Sequence, residues 1–141
     1  MKNKYPIYIP TKGRFESRKT VKALLEMGAE FRVVVEPQEE QLYLTILPKE
    51  YILVLPFSKP TDHSMLVTVR NWIKEHSISE GHKRHWQLDD NIKAFYRMNN
   101  NKRNKVLSPV IFRCIEDFVD RYTNVAMAGM NYMNYAIPDG R

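Results

Sequence analysis

At 141 residues with 43% hydrophobic side chains, the chain is long enough for one domain with a real core and too short for two. A formal charge of +6 and a pI near 9.4 favour an anionic partner, whether a nucleotide, a nucleic acid or an anionic membrane surface. The single cysteine, Cys114, excludes a disulfide framework. The longest apolar run, Tyr51 to Phe57, is too short for a signal peptide or a membrane span, so a soluble cytoplasmic protein is expected, with no membrane partner.

The β-branched and aromatic run Tyr5 to Ile9 predicts a first strand, closed by the basic turn Pro10-Thr11-Lys12-Gly13-Arg14. Ser17 is placed to cap a helix with Val21, Leu24 and Leu25 on one face and Gly28 after its last turn. Phe31 to Val35 reads as a second strand ending on Glu36-Pro37. Leu42 and Ile46 give helical spacing between Glu39 and Leu47, and Tyr51 to Leu55 is a third strand. Leu66, Val69, Trp72 and Ile73 mark a further helix ending near Gly81, and His85 to Asp89 is the next strand. Asn99 to Asn104 reads as a polar, basic loop. Ser108-Pro109 starts a helix carrying Ile111, Ile115, Phe118, Val119 and Tyr122, and Asn124 to Ala128 looks like a last buried strand. Continuous apolar strands alternating with amphipathic helices predict a mainly parallel, doubly wound α/β sheet.

In such a sheet the turn 10–14, Glu36 and Asp89-Asp90-Asn91 all follow strands at their carboxyl ends and so converge on one edge, where α/β proteins bind ligands. Lys12 and Arg14 can neutralise a pyrophosphate, Glu36 can accept hydrogen bonds from a base or ribose, and the acidic pair can hold a magnesium or manganese ion bridging phosphates. The plainer alternative is a solvated Asp-Asp-Asn turn. Neither the phosphate-cradling Gly-x-x-x-x-Gly-Lys pattern nor the dinucleotide Gly-x-Gly-x-x-Gly pattern occurs. His63, His76, His82 and His85 lack zinc spacing. Lys83-Arg84 and the cluster Lys102, Arg103 and Lys105 are either DNA backbone contacts or solvated faces. Phe95, Tyr96, Tyr132 and Tyr135 either fill the core or stack on a base.

Pro10-Thr11-Lys12-Gly13-Arg14, Val35-Glu36-Pro37, Arg70-Asn71-Trp72-Ile73 and Trp86-Gln87-Leu88-Asp89-Asp90-Asn91-Ile92 occur together in this order. With them the chain resembles a GT-A type glycosyltransferase. More narrowly it resembles the glycosyltransferases associated with TET/JBP-type pyrimidine hydroxylases, largely from phages and thought to glycosylate hydroxymethylated pyrimidines in DNA. The resemblance spans Pro6 to about Tyr135. It implies a GT-A-like nucleotide-binding half and a nucleotide-sugar donor, a uridine diphosphate sugar first among the candidates. Pro10, Thr11, Lys12, Arg14, Glu36, Arg70 and Asp89 would bind that donor, Asp90 and Asn91 would bind manganese or magnesium, and DNA would be the acceptor. The family's acidic motif has a carboxylate in its third position, where this chain has Asn91. A catalytically silent nucleotide-binding or DNA-binding module is the alternative.

The resemblance also implies that the acceptor site and catalytic base come from a half that is mostly absent, with Asp139 a remnant to which no role is assigned. The chain is thus expected to be a single donor-binding domain over residues 1–141, truncated at its carboxyl end and inactive by itself. Met127, Met130, Tyr132, Met133 and Tyr135 would then be surface available to a second copy, giving a homodimer by two-fold contact or by exchange of residues 131–141.

Overall fold

The structure, a computed structural model, describes residues 3–58 and 64–132. The sequence expectations at His63, Met133, Tyr135 and Asp139 lie outside those residues, as does the tail beyond Tyr132.

The chain runs β1 (Ile7–Pro10), α1 (Lys19–Met27), β2 (Arg32–Val35), α2 (Glu40–Leu44), β3 (Ile52–Val54), α3 (Ser64–Ser79), β4 (Trp86–Gln87), β5 (Phe95–Asn99), β6 (Lys102–Val106) and α4 (Val110–Val119). Four strands form a parallel sheet in the order β3-β2-β1-β4, with Ile9 opposite Val33, Val34 opposite Leu53, and Tyr8 opposite Gln87. Both faces are covered, as expected for strands that are apolar on both sides. Ile7, Ile9, Val33 and Val35 pack with Leu24 of α1, Tyr43 of α2 and Phe112 of α4, whereas Tyr8 and Val34 point the other way, onto Val69 and Ile73 of α3. The mixed α/β architecture with a parallel sheet is therefore as expected. Among the described residues no helix is long and apolar enough to cross a membrane.

Several expected elements differ. Ser17 does not cap α1: its hydroxyl donates to the Arg14 carbonyl, and Arg18 sits before the helix at φ 23°. Gly28 does close α1 in the left-handed region at φ 70°. The expected helix over 39–47 is a 3₁₀ turn, Pro37–Glu39, followed by the short α2, because Pro37 presets the first turn. Only Trp86 and Gln87 of the expected strand 85–89 pair as a ladder, although the Leu88 N–H still donates to the Tyr8 carbonyl. Leu25, Leu42, Phe118 and Tyr122 belong to apolar stripes by spacing but face outward.

Two corrections are larger. The expected last strand at 124–128 is irregular and joins no sheet; the guanidinium of Arg84 donates to the Val125 carbonyl, and Met127 is 90% exposed. The expected loop at 99–104 is instead the heart of a β-hairpin, β5 paired antiparallel with β6 from Phe95↔Val106 to Asn99↔Lys102. Asn100 and Asn101 turn the chain at φ 49° and 59°, which the tight type I′ hairpin turn requires at both central positions and which asparagine tolerates better than most residues. Phe95 roots this ribbon in the core against Phe112, which in turn meets Trp86 edge-on, each pair of rings 5.3 Å apart.

Candidate functional site

The sheet order places β1 beside β4 although β2 and β3 intervene in sequence. The crevice between the carboxyl ends of β1 and β4 is therefore a topological switch point, the place where an open parallel sheet leaves room for a ligand.

After β1 the Thr11 N–H donates the last backbone bond to Val34, at 3.1 Å. Gly13, at φ 66°, then reverses the chain, and its N–H donates to Oε1 of the buried Glu39 at 2.8 Å. Lys12 pairs with Glu36 at 3.0 Å. Glu36 is only 2% exposed, and its second oxygen accepts from Gln38 and from Ser58. A buried carboxylate held by charged and neutral donors ties the basic loop to the end of β2.

On the other side of the crevice, Thr20 of α1 fastens the acidic loop. Its fully buried hydroxyl donates to the Asp89 carbonyl and accepts the Ile92 N–H at 2.9 Å. Asp90 is drawn toward β1, accepting from the Thr11 hydroxyl at 2.9 Å with the Arg14 Nε 3.6 Å away. Asp89 faces α3, where Arg70 reaches both its carboxylate and the Gln87 side chain at 3.2 Å. Beneath the loop, burial pushes the Tyr43 phenol up from its ordinary value, so it stays neutral at physiological pH.

These pieces enclose a cleft of about 610 Å³. Pro10, Thr11, Lys12 and Arg14 line it from the first loop, Glu36 from the second, Arg70 from α3, and Asp89, Asp90 and Asn91 from the loop after β4. All nine residues singled out in the sequence for a donor or a metal thus share one cleft. Its apolar wall is Val34, Leu55, Leu66 and Val69, which by sequence pattern belong to strand and helix core. Thr20, Glu39, Ser58 and Gln87 carry no sequence signal as site residues, because each acts through a partner distant in sequence, whereas Gln38 acts on Glu36 two residues before it.

The charges of the cleft pair off: Lys12 with Glu36, Arg14 with Asp90, Arg70 with Asp89. Among the described residues no three or more His, Cys, Asp or Glu side chains cluster so as to hold a metal ion. Two carboxylates and an amide do not make a closed protein cage. They are oxygen donors, the ligand type of a magnesium or manganese ion that takes the rest of its shell from water and phosphate oxygens.

Lys102, Arg103 and Lys105 do not line the cleft; they stand on β6. Of the aromatic group, Phe95 is core, whereas Tyr96 and Tyr132 are exposed. Among the histidines, His76 and His85 meet Tyr8 edge-on from α3 and from before β4. His76 Nδ1 lies 3.0 Å from the Tyr8 hydroxyl, and burial lowers the pKa of His85.

Compared with known families, the chain matches the model of the TET-Associated Glycosyltransferase family over residues 5–140. No curated protein and no solved structure matches it.

Proposed function

We propose, for a chain that belongs to the TET-associated glycosyltransferase family, a metal-dependent transfer of sugar from a nucleotide sugar to hydroxymethylated pyrimidine in DNA. In this reading the domain is a GT-A-like donor-binding unit. The observation that carries it is the meeting of nine donor-type and metal-type residues in one cleft at the β1/β4 switch point.

The cleft has an apolar wall and a charged rim, which suits a ligand with a flat, weakly polar base at one end and a diphosphate at the other. Glu36 and its donors Gln38 and Ser58 stand at the β2 end, where a base or ribose would exchange hydrogen bonds with them. Lys12, Arg14 and Arg70 are the cations within reach of a diphosphate, and Asp89, Asp90 and Asn91 are the oxygen donors for a divalent ion. That ion would stabilise the negative charge developing on the departing nucleoside diphosphate.

The paired charges give a physical reason for metal dependence. A doubly negative diphosphate entering alone would leave excess negative charge in a cleft whose cations already face carboxylates, whereas a diphosphate entering with a divalent cation keeps the charges matched. Arg14 and Arg70 can then turn from the carboxylates that hold them to the sugar diphosphate, since both side chains are more than one-third exposed.

The test is a transfer assay with a panel of sugar nucleotides on duplex DNA containing hydroxymethylcytosine or hydroxymethyluracil, read by nucleoside mass spectrometry. A chain that carries an acceptor site beside its donor cleft gives a nucleoside heavier by one sugar residue, formed with manganese or magnesium and lost in chelator. A donor that binds without any transfer would leave a nucleotide-binding module in place of an enzyme.

A further inference from the structure

The formal charge of +6 is not spread over the molecule. Of the 22 Lys and Arg residues, six fall in residues 91–115; all 16 Asp and Glu lie outside that stretch and match the 16 cations that remain. The entire excess therefore sits on one segment, which contains β5, β6 and the first half of α4.

The β5–β6 ribbon of that segment projects from the domain. Both strands of the β5–β6 ribbon are exposed on both faces from Tyr96 to Lys105, and only the root is buried, where Phe95 meets Phe112. The root is fixed to the sheet and the distal part meets solvent. Strand register sorts the side chains into two faces. One carries Arg97, Asn99, Lys102 and Asn104, and the other Tyr96, Met98, Arg103 and Lys105. Lys105 stands 3.4 Å from Glu26 of α1, an exposed pair that holds it only weakly.

We infer that the β5–β6 ribbon is an arm that enters the major groove of duplex DNA. The major groove, about 12 Å wide, admits a two-stranded β-ribbon, whereas the deep, narrow major groove of A-form RNA does not open to side chains. Cations on both faces of a thin ribbon can meet the phosphates that border the groove on either side. The face bearing Arg97, Asn99, Lys102 and Asn104 presents the arginine, lysine and asparagine side chains that pair with base edges. An anionic membrane fits less well, because Tyr96 and Met98 are the only apolar side chains between the root positions 95 and 106, and an interfacial element needs an apolar face. The inference rests on the reading of DNA as acceptor for its purpose, since an arm in the groove would hold the duplex on the protein.

The experiment uses an unmodified duplex and no sugar donor, so its outcome does not depend on transfer. Binding of the labelled duplex is followed by fluorescence anisotropy between about 50 and 200 mM salt. The proteins compared are the native chain, the triple variant Lys102→Gln/Arg103→Gln/Lys105→Gln, and the control Lys49→Gln/Lys74→Gln, whose exposed lysines lie off the arm. Over this range the native chain and the control should lose affinity steeply. The triple variant should have a salt slope shallower by roughly three, so that its loss is smaller by about 40-fold. Circular dichroism should show the variant folded, as expected for exposed positions outside the core. An unchanged slope in the triple variant, preference for single strands over duplex, or tighter binding to phosphatidylserine vesicles than to duplex overturns the inference. Duplex binding of the expected kind in a chain that transfers no sugar upholds the arm and removes the enzymatic reading.

Discussion

Thr20→Val is the sharpest probe of how the cleft is held. Valine has nearly the shape of threonine, so no cavity opens, but the hydroxyl that accepts the Ile92 N–H and donates to the Asp89 carbonyl is lost. Thr20 is 0% exposed, so water cannot replace it at the Ile92 N–H, and a buried group left unpaired costs about 1–3 kcal/mol. With the Asp89 carbonyl partly able to rehydrate, the total is about 2–4 kcal/mol in urea denaturation. Thr20→Ser, which keeps the hydroxyl and loses a methyl, should cost about 1 kcal/mol. If about half of the valine loss falls on the Asp89–Ile92 loop, affinity for a uridine diphosphate sugar with manganese drops roughly five- to thirty-fold in calorimetric titration. The serine variant should bind like the native chain. Equal stability of the two variants would show that the hydroxyl does not hold the loop. Native affinity in a destabilised valine variant would show that the loop does not serve the ligand.

Two further outcomes concern the frame. Glu116 is buried and accepts the N–H groups of Lys4 and Tyr5 at 2.8 and 2.7 Å and the Trp86 indole N–H at 3.1 Å. Glu116→Ala leaves these donors without their acceptor and should cost about 3–5 kcal/mol in thermal or urea unfolding; a loss under about 1 kcal/mol would deny α4 its part in anchoring the amino-terminal strand. Glu80 accepts from Arg32 at 2.8 Å, with His76 and His82 also within 4 Å, and the Arg32 bond holds its carboxyl below the ordinary 4.5. A lowered folded pKa means stability that is present above pH 4.5 and lost as pH falls through the folded value. The gap between the native chain and Glu80→Gln should therefore be below about 1 kcal/mol at neutral pH and close under acid; a gap that widens on acidification would reverse the sign of the linkage.

The cleft was legible in the sequence because its residues follow strand ends directly, and a parallel sheet brings all those ends to one edge. Finding the strands Ile7–Pro10, Arg32–Val35 and Trp86–Gln87 was enough to bring Lys12, Glu36 and Asp90 together. The β5–β6 ribbon was not legible by the same means. Exposed on both faces, its strands carry no alternation of apolar and polar residues, and the only local cue was the asparagine pair at positions 100 and 101. Residues 124–128 are the opposite case: an apolar run becomes a strand only where a neighbouring strand offers hydrogen bonds, and 124–128 pair with none of the described strands. Thr20 and Glu39 leave no local signal because their bonds span 72 and 26 residues.

The central claim, that the β1/β4 crevice binds a sugar nucleotide together with a divalent ion, is tested most directly by calorimetric titration of the full chain with uridine diphosphate sugars. The titration is run in manganese and in chelator, on the native chain and on Asp90→Ala. Asp90 accepts from Thr11, lies near Arg14 and faces the cleft, so its removal takes away a carboxylate oxygen donor for the ion and a contact that joins the two loops. Binding in manganese should be lost in chelator and strongly weakened by Asp90→Ala. Equal affinity in manganese and in chelator, unchanged by the substitution, would contradict the claim.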